Sequence, residues 1–162
     1  MKNLAESGLT GKDEYFGQKF LGVNRHTNSV NNIASLSKAR IPKWVESVTT
    51  SLYAIVALCD NWDSYGAKRI SHSTAVAVQG LLQDIMHDAA PAPQLVPGAN
   101  GNVQIEWHFA GIDLEVEVES QSLAHVFFYD HSLQESAWEG RIENDLSRLV
   151  HYIDVMARRA HS

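Results

Sequence analysis

The residues of this chain best suited to chemistry alternate with apolar residues in two neighbouring stretches. Glu106 and His108 alternate in the first stretch, and Asp113, Glu115 and Glu117 alternate in the second. Strict alternation predicts two β-strands, each with one buried and one polar face. A tight turn between them would place Glu106 opposite Glu115 and His108 opposite Asp113. The polar face of this hairpin is therefore the first candidate site.

Like charges placed directly opposite each other destabilise a strand pair unless something compensates them. The compensation is a cation, a basic partner, a raised carboxyl pKa, or solvation with salt. A metal or acid–base site would use Glu106 and Glu115 with His108 or His125. A docking face for a basic protein is the other active use of the same residues. The candidate partner-binding residues are Glu106, Glu115, Glu117, His108, His125 and Tyr129.

Other chemical motifs are missing from the sequence. The eight histidines are scattered, and none makes the pairs that present two metal ligands on a helix. The single cysteine, Cys59, excludes an internal disulfide and falls on an apolar helical stripe, which favours a core role. There is no nucleophile elbow and no phosphate-binding glycine loop. The sequence therefore predicts no catalytic residue, no metal site and no cofactor.

Helices are predicted on both sides of the alternating stretches. The first opens at Ile41-Pro42 and carries an apolar stripe from Trp44 to Cys59. Ser71 or Ser73 caps a second helix, which the prolines at 91 and 93 stop. The last helix is predicted from about Glu139 to Arg159.

The strands are predicted to form a meander. A third strand follows at Leu123–Asp130, and Gln94–Val96 is a short additional one. The fold class is therefore α+β, with a small antiparallel meander of three to four strands covered on one face by about three helices.

Charge divides the chain into two parts. Residues 1–43 hold seven basic and three acidic side chains, net +4, while residues 44–162 hold six basic and sixteen acidic ones, net −10. We interpret residues 1–40 as a loosely ordered basic arm and residues 41–162 as a single acidic α+β domain. The arm either lies back on the acidic domain or orders on a partner. The overall charge of −6 disfavours direct nucleic-acid binding.

Two short motifs carry a resemblance. Asn61-Trp62-Asp63-Ser64-Tyr65-Gly66-Ala67, and further along Gly101-Asn102-Val103-Gln104-Ile105-Glu106-Trp107, resemble the signature of a family of small uncharacterised bacterial and phage proteins. The resemblance covers roughly residues 60–120. It departs at Ser64, where the family has glycine, at Lys68-Arg69, where proline is usual, and at Asn100-Gly101-Asn102, which replaces an acidic-glycine turn. It implies a shared fold and no particular activity. The signature positions are Asn61, Trp62, Asp63, Gly66, Glu106 and Trp107.

Three function classes remain. The first is a non-enzymatic binding protein of inhibitor, immunity, antitoxin or anti-defence type, whose acidic surface attracts a basic protein such as a nucleic-acid-binding one. The second is a metal-assisted or acid–base enzyme on the Glu/His face. The third, by architectural analogy, is a secretion-chaperone-like dimer. The N-terminus lacks the apolar core of a signal peptide, so we expect a cytoplasmic protein that makes no membrane contact. A homodimer through the last helix is left open.

Overall fold

The computed structural model describes residues 41–120, 123–133, 137–142 and 146–160. The predicted N-terminal arm, residues 1–40, lies outside the described residues. Three helices, α1 (Lys43–Val56), α2 (His72–Ile85) and α3 (Ser147–Arg159), accompany one sheet. None of the helices within the described ranges is long and apolar enough to cross a membrane.

The sheet is a five-stranded antiparallel meander. Its strands are β1 (Gln94–Pro97), β2 (Val103–Phe109), β3 (Ile112–Ser120), β4 (Leu123–Asp130) and β5 (Trp138–Ile142), and their spatial order follows the chain. The α+β class and the three helices are confirmed. The predicted count of three to four strands was too low, because β5 was missed.

The strand pairing follows the apolar alternation. Phe109 pairs with Ile112 across the hairpin turn, and Val103 pairs with Val118 at the far end, as predicted. The turn residues Ala110 and Gly111 both have positive φ, 51° and 74°, which suits the twist of a two-residue hairpin. Since the side-chain period of a strand is two, this register sends every apolar residue of β2 and β3 to one face.

The helices cover that apolar face. α2 lies against β2 and β3, α1 lies against β1, and α3 packs on α2. Phe128 of β4 stacks on Tyr152 of α3 with ring centroids 3.6 Å apart. The fully buried side chains come from both layers: Val48, Leu52, Val78, Leu82, Val103, Ile105, Trp107, Ile112, Leu114, Leu149, Ile153 and Met156.

Two local predictions were wrong. The last helix begins at Ser147 and not near Glu139, because Trp138–Ile142 pairs with β4 as a strand. Cys59 is exposed, since α1 ends at Val56 and the helical stripe does not reach it. Phe109 lies on the core side of the sheet as its alternation predicts, and because it ends its strand it is 37% exposed.

Candidate functional site

The side of the sheet opposite the helices carries the predicted site; we call it the outer face. The strand register places five carboxylates on it, and Arg141 is the only Lys or Arg within the five strands. Two aromatic rings, Phe127 and Tyr129, lie half-buried among them. The five carboxylates are Glu106, Asp113, Glu115, Glu117 and Glu139.

At one end of the outer face a single carboxylate lies between two imidazoles. His108 donates from Nδ1 to Asp113 Oδ1 at 2.8 Å, and His131 donates from Nε2 to Asp113 Oδ2 at 2.7 Å. A carboxylate accepts only, so both rings must carry their proton on the facing nitrogen. The hydrogen bond to Asp113 raises the pKa of His108, and the bonds from His108 and His131 lower the pKa of Asp113. Glu106 lies 3.6 Å from His108 Nε2.

In the middle of the outer face the carboxylates are held by neutral amides. Gln104 donates from Nε2 to Glu115 Oε2 at 2.7 Å, and Asn102 donates to Glu117. Glu106 lies directly opposite Glu115 in the ladder, as predicted. Neutral donors orient a carboxylate without cancelling its charge, so this part of the face keeps its negative potential.

Beyond the amides the outer face forms a depression of about 160 Å³. Glu117 and His125 are cross-strand neighbours there, and Arg141 donates from Nε to His125 Nε2 at 2.9 Å. In that bond Nε2 of His125 is the acceptor, because an arginine N–H can only donate. The lining residues are Gln104, Glu115, Glu117, His125, Val126, Phe127 and Glu139.

All six predicted partner-binding residues lie on strands of the outer face, but they form two groups. His108 belongs with Glu106 and Asp113, whereas His125 belongs with Glu117 and Arg141. The register also brings Tyr129 opposite Asp113. Its ring meets His131 edge-on, with centroids 4.6 Å apart. The predicted face is therefore assembled, while the single Glu/His constellation of the enzymatic hypothesis is divided.

Sequence reasoning missed several members of the outer face. His131 follows β4 directly, and its backbone N–H donates to Gly111 O at 2.8 Å, which brings it beside Asp113. Glu139 and Arg141 were assigned to a helix. The alternation of Trp138, Gly140 and Ile142 with these two charged residues was the available signal.

The titratable groups of the outer face lie in two separate groups, one around Asp113 and the other around His125. Within the described residues, no three or more His, Cys, Asp and Glu side chains are arranged to hold a metal ion. At the Asp113 end of the outer face the reason is that one nitrogen of each histidine is directed at an oxygen of Asp113 and so is not directed at a metal position.

The first signature motif has a structural role. Asp63 Oδ1 accepts from the backbone N–H groups of Tyr65 at 2.8 Å and Ala67 at 3.0 Å. Asn61 Oδ1 accepts from Gly66 N–H at 2.8 Å. The hydrogen bonds from Ala67 and Tyr65 lower the pKa of Asp63. Trp62 is half-buried and donates from Nε1 to the carbonyl of Lys68 at 3.2 Å.

The two signature motifs meet in space. Lys68 N–H donates to Ala99 O at 2.9 Å, and a Cβ on Gly101 would lie 3.3 Å from the carbonyl oxygen of Arg69. Trp107 is buried and donates from Nε1 to Pro91 O at 3.0 Å. The contacts of Lys68 and Arg69 fasten the loop to the β1–β2 turn, and the indole of Trp107 ties β2 to the segment that precedes β1. Of the signature residues, Glu106 alone lies on the outer face.

Comparison with family models, with curated proteins and with solved structures finds no match to this chain. The resemblance carried by the two motifs therefore stays a prediction.

Proposed function

We propose that this chain is a non-enzymatic binding protein whose outer face docks a positively charged protein. The observation that carries the proposal is the five carboxylates on one sheet face that holds a single arginine. Such a face attracts basic surfaces, including those of nucleic-acid-binding proteins, and raises the rate of encounter. Inhibitors and immunity-type, antitoxin or anti-defence proteins use this kind of complementarity.

The hydrogen bonds of the outer face support this assignment. Glu115 and Glu117 are oriented by neutral amides, so their charge is retained and their positions are restrained. Restrained side chains lose less entropy on binding than mobile ones do. Phe127 lines the same depression as these glutamates and adds an apolar surface on which the alkyl stem of a lysine or arginine packs.

The test compares two variants with equal charge change. The face variant is Glu106→Gln, Glu115→Gln and Glu117→Gln together; glutamine still accepts the amide hydrogen bonds. The control variant is Glu46→Gln, Asp84→Asn and Asp88→Asn, three exposed helix or loop positions away from the sheet. Each immobilised protein captures partners from a bacterial lysate at low and moderate salt, and the captured protein is purified and titrated calorimetrically.

We expect a basic protein that the wild type and the control variant retain and the face variant loses. Its affinity falls as salt rises, because the attraction is screened. Failure to retain a partner at either salt overturns the proposal, as does equal binding by the face variant. Equal charge change in the control separates loss of the face from loss of net charge.

One observation favours the enzymatic alternative. Around Asp113 each of the two imidazoles lies close to a carboxylate: His108 is 2.8 Å from Asp113 and 3.6 Å from Glu106, and His131 is 2.7 Å from Asp113, so proton donors and acceptors are adjacent. Thermal unfolding with and without divalent ions tests the metal-assisted version, since a bound ion raises the Tm. A Tm that no divalent ion changes excludes that version, and a rise that His108→Ala abolishes supports it.

A further inference from the structure

β5 forms one edge of the sheet. Among the described residues only β4 pairs with it, so its other side presents backbone N–H and C=O groups in the manner of an edge strand. The opposite edge strand, β1, is protected by Pro97 and by contact with α1. β5 contains neither proline nor lysine, and its sequence is Trp-Glu-Gly-Arg-Ile.

The sequence of β5 is complementary to itself. When two identical antiparallel strands pair about a two-fold axis, the residue numbers of facing residues have a constant sum. With the axis at Gly140, Glu139 faces Arg141 of the second copy, and Arg141 faces Glu139 of the second copy. Trp138 likewise faces Ile142 twice. The outer side gains two opposite-charge pairs and the core side gains two apolar pairs.

We propose that β5 pairs with β5 of a second copy of this chain, antiparallel about Gly140, and joins two sheets into one continuous sheet. The partner is therefore this chain itself. Glu139 and Arg141 are exposed, and after its bond to His125 the Arg141 guanidinium has four further N–H donors.

The core side of β5 fits the same arrangement. The indole of Trp138 lies over Gly140, where a Cβ would come within 2.8 Å of Cζ2. Tyr152 and Arg148 of α3 hold the indole, at 6.4 Å and 4.6 Å from its ring. In the paired strands the two Gly140 residues face each other at the two-fold axis. Because neither has a side chain, the two Trp138 indoles can lie over them and continue the apolar layer from one sheet to the next. The two proposals are tested separately, because the docking test changes Glu106, Glu115 and Glu117 and leaves Glu139 and Arg141 of β5 in place.

Charge reversal tests the pairing. Sedimentation velocity over a range of concentrations is measured for the wild type, Glu139→Arg, and the double variant Glu139→Arg with Arg141→Glu. We expect a reversible wild-type dimer, because a short edge buries less than a standard interface. The single variant sets four cations around the axis and becomes monomeric, and the double variant restores the opposite charges and the dimer. Circular dichroism checks that all three are folded.

Cysteine pairing tests the register. In a Cys59→Ser background, Glu139→Cys and Arg141→Cys are prepared separately and then mixed under mild oxidation. Facing residues lie about 5 Å apart, within reach of a disulfide. We expect a cross-linked dimer from the mixture and not from either variant alone. A wild-type monomer at every concentration overturns the proposal, as does a dimer that survives Glu139→Arg or a cross-link in one variant alone; an interface on α3 would give the second result.

Discussion

The loop at residues 60–69 and the outer face of the sheet are both rich in small polar and acidic side chains, but they use them differently. In the loop, Asp60, Asn61 and Asp63 all accept from backbone N–H groups of the loop itself. On the outer face, Glu115 and Glu117 accept from side-chain amides of neighbouring residues. A carboxylate that satisfies the backbone is part of the fold. A carboxylate that is held only by neutral side chains has no compensating positive charge, so its charge is available to attract a basic partner.

The core side of the same sheet offers a third case. Asp130 is 5% exposed, and Arg159 of α3 donates to it from both terminal nitrogens, at 3.0 and 2.5 Å. Ser132 contributes its hydroxyl and its backbone N–H. The hydrogen bonds from Arg159 hold the pKa of Asp130 well below its usual range. This carboxylate is fully compensated, which the outer-face carboxylates are not.

The largest effect is therefore expected at Asp130. Asp130→Ala leaves the Arg159 guanidinium without its acceptor and costs about 3 kcal/mol of unfolding free energy, measured by urea denaturation. Asp113→Ala, on the exposed side of the sheet, costs less than about 1 kcal/mol. Because the folded-state pKa of Asp130 is depressed, its contribution is present above the ordinary value of 3.8 and is lost as pH falls below it. Equal losses in the two variants would contradict the distinction between the two faces.

The next effect concerns the backbone of the loop. Gly66 has φ 95°, whereas Gly80 lies within α2, and an added Cβ at either position would meet no atom within 4 Å. The two alanine variants therefore differ in backbone conformation alone. We expect Gly66→Ala to lower the unfolding free energy by about 1–2 kcal/mol and Gly80→Ala to raise it by up to about 1 kcal/mol. Thermal and urea unfolding of both variants measure these changes in unfolding free energy, which we expect to have opposite signs.

Ser64 extends the same argument. Its φ is 67°, in the left-handed region that favours glycine. Ser64→Gly should raise the unfolding free energy by about 0.5–1 kcal/mol. Ser47→Gly, at an exposed position inside α1, should lower it by about 1 kcal/mol. A loss in both variants would mean that the Ser64 side chain contributes more than its backbone strain costs.

A smaller effect is expected at His108. Its pKa is raised above 6.5, mainly by the hydrogen bond to Asp113, so the pair stabilises the fold fully below that value. The contribution, about 0.5 kcal/mol for an exposed pair, is lost as pH rises through the folded-state pKa. In Asp113→Asn the pKa of His108 should return toward 6.5, which a proton NMR titration of the ring measures. Glu115→Gln, which leaves the Asp113 contact intact, serves as the control.

The fold was predictable where one local pattern dominates. The alternation from Val103 to Val118 has a single register that buries every apolar residue, so the cross-strand partners followed from the sequence. The α2 cap also followed, since Ser71 accepts from Thr74 N–H. β5 was not predicted, because its alternation spans only five residues and includes a glycine. It is also followed closely in the sequence by the longer apolar stripe of α3, which begins at Leu149.

The candidate site was predictable as a surface and not as a set of contacts. Strand register brings Glu106 opposite Glu115 and His108 opposite Asp113, and those two pairs were predicted. The contact between His131 and Asp113 depends on how the chain leaves β4, where His131 N–H bonds to Gly111 O. Such a contact joins residues that are far apart in sequence and outside the strand ladder, so no periodicity reports it.

The smallest effect discriminates best between the loop and the outer face. Glu106 and Glu115 face each other across the ladder, so Glu106→Gln should raise the unfolding free energy by about 0.2–0.5 kcal/mol, and salt should shrink the gain. Glu46→Gln in the first turn of α1 should have the opposite sign, because it removes a charge that the helix N-terminus favours. If Glu106→Gln instead destabilises the protein, the Glu106 carboxylate stabilises the folded chain, as the Asp63 carboxylate does in the loop. A gain means that the folded chain keeps a destabilising charge on an exposed face, and such a charge is explained most simply by what it binds.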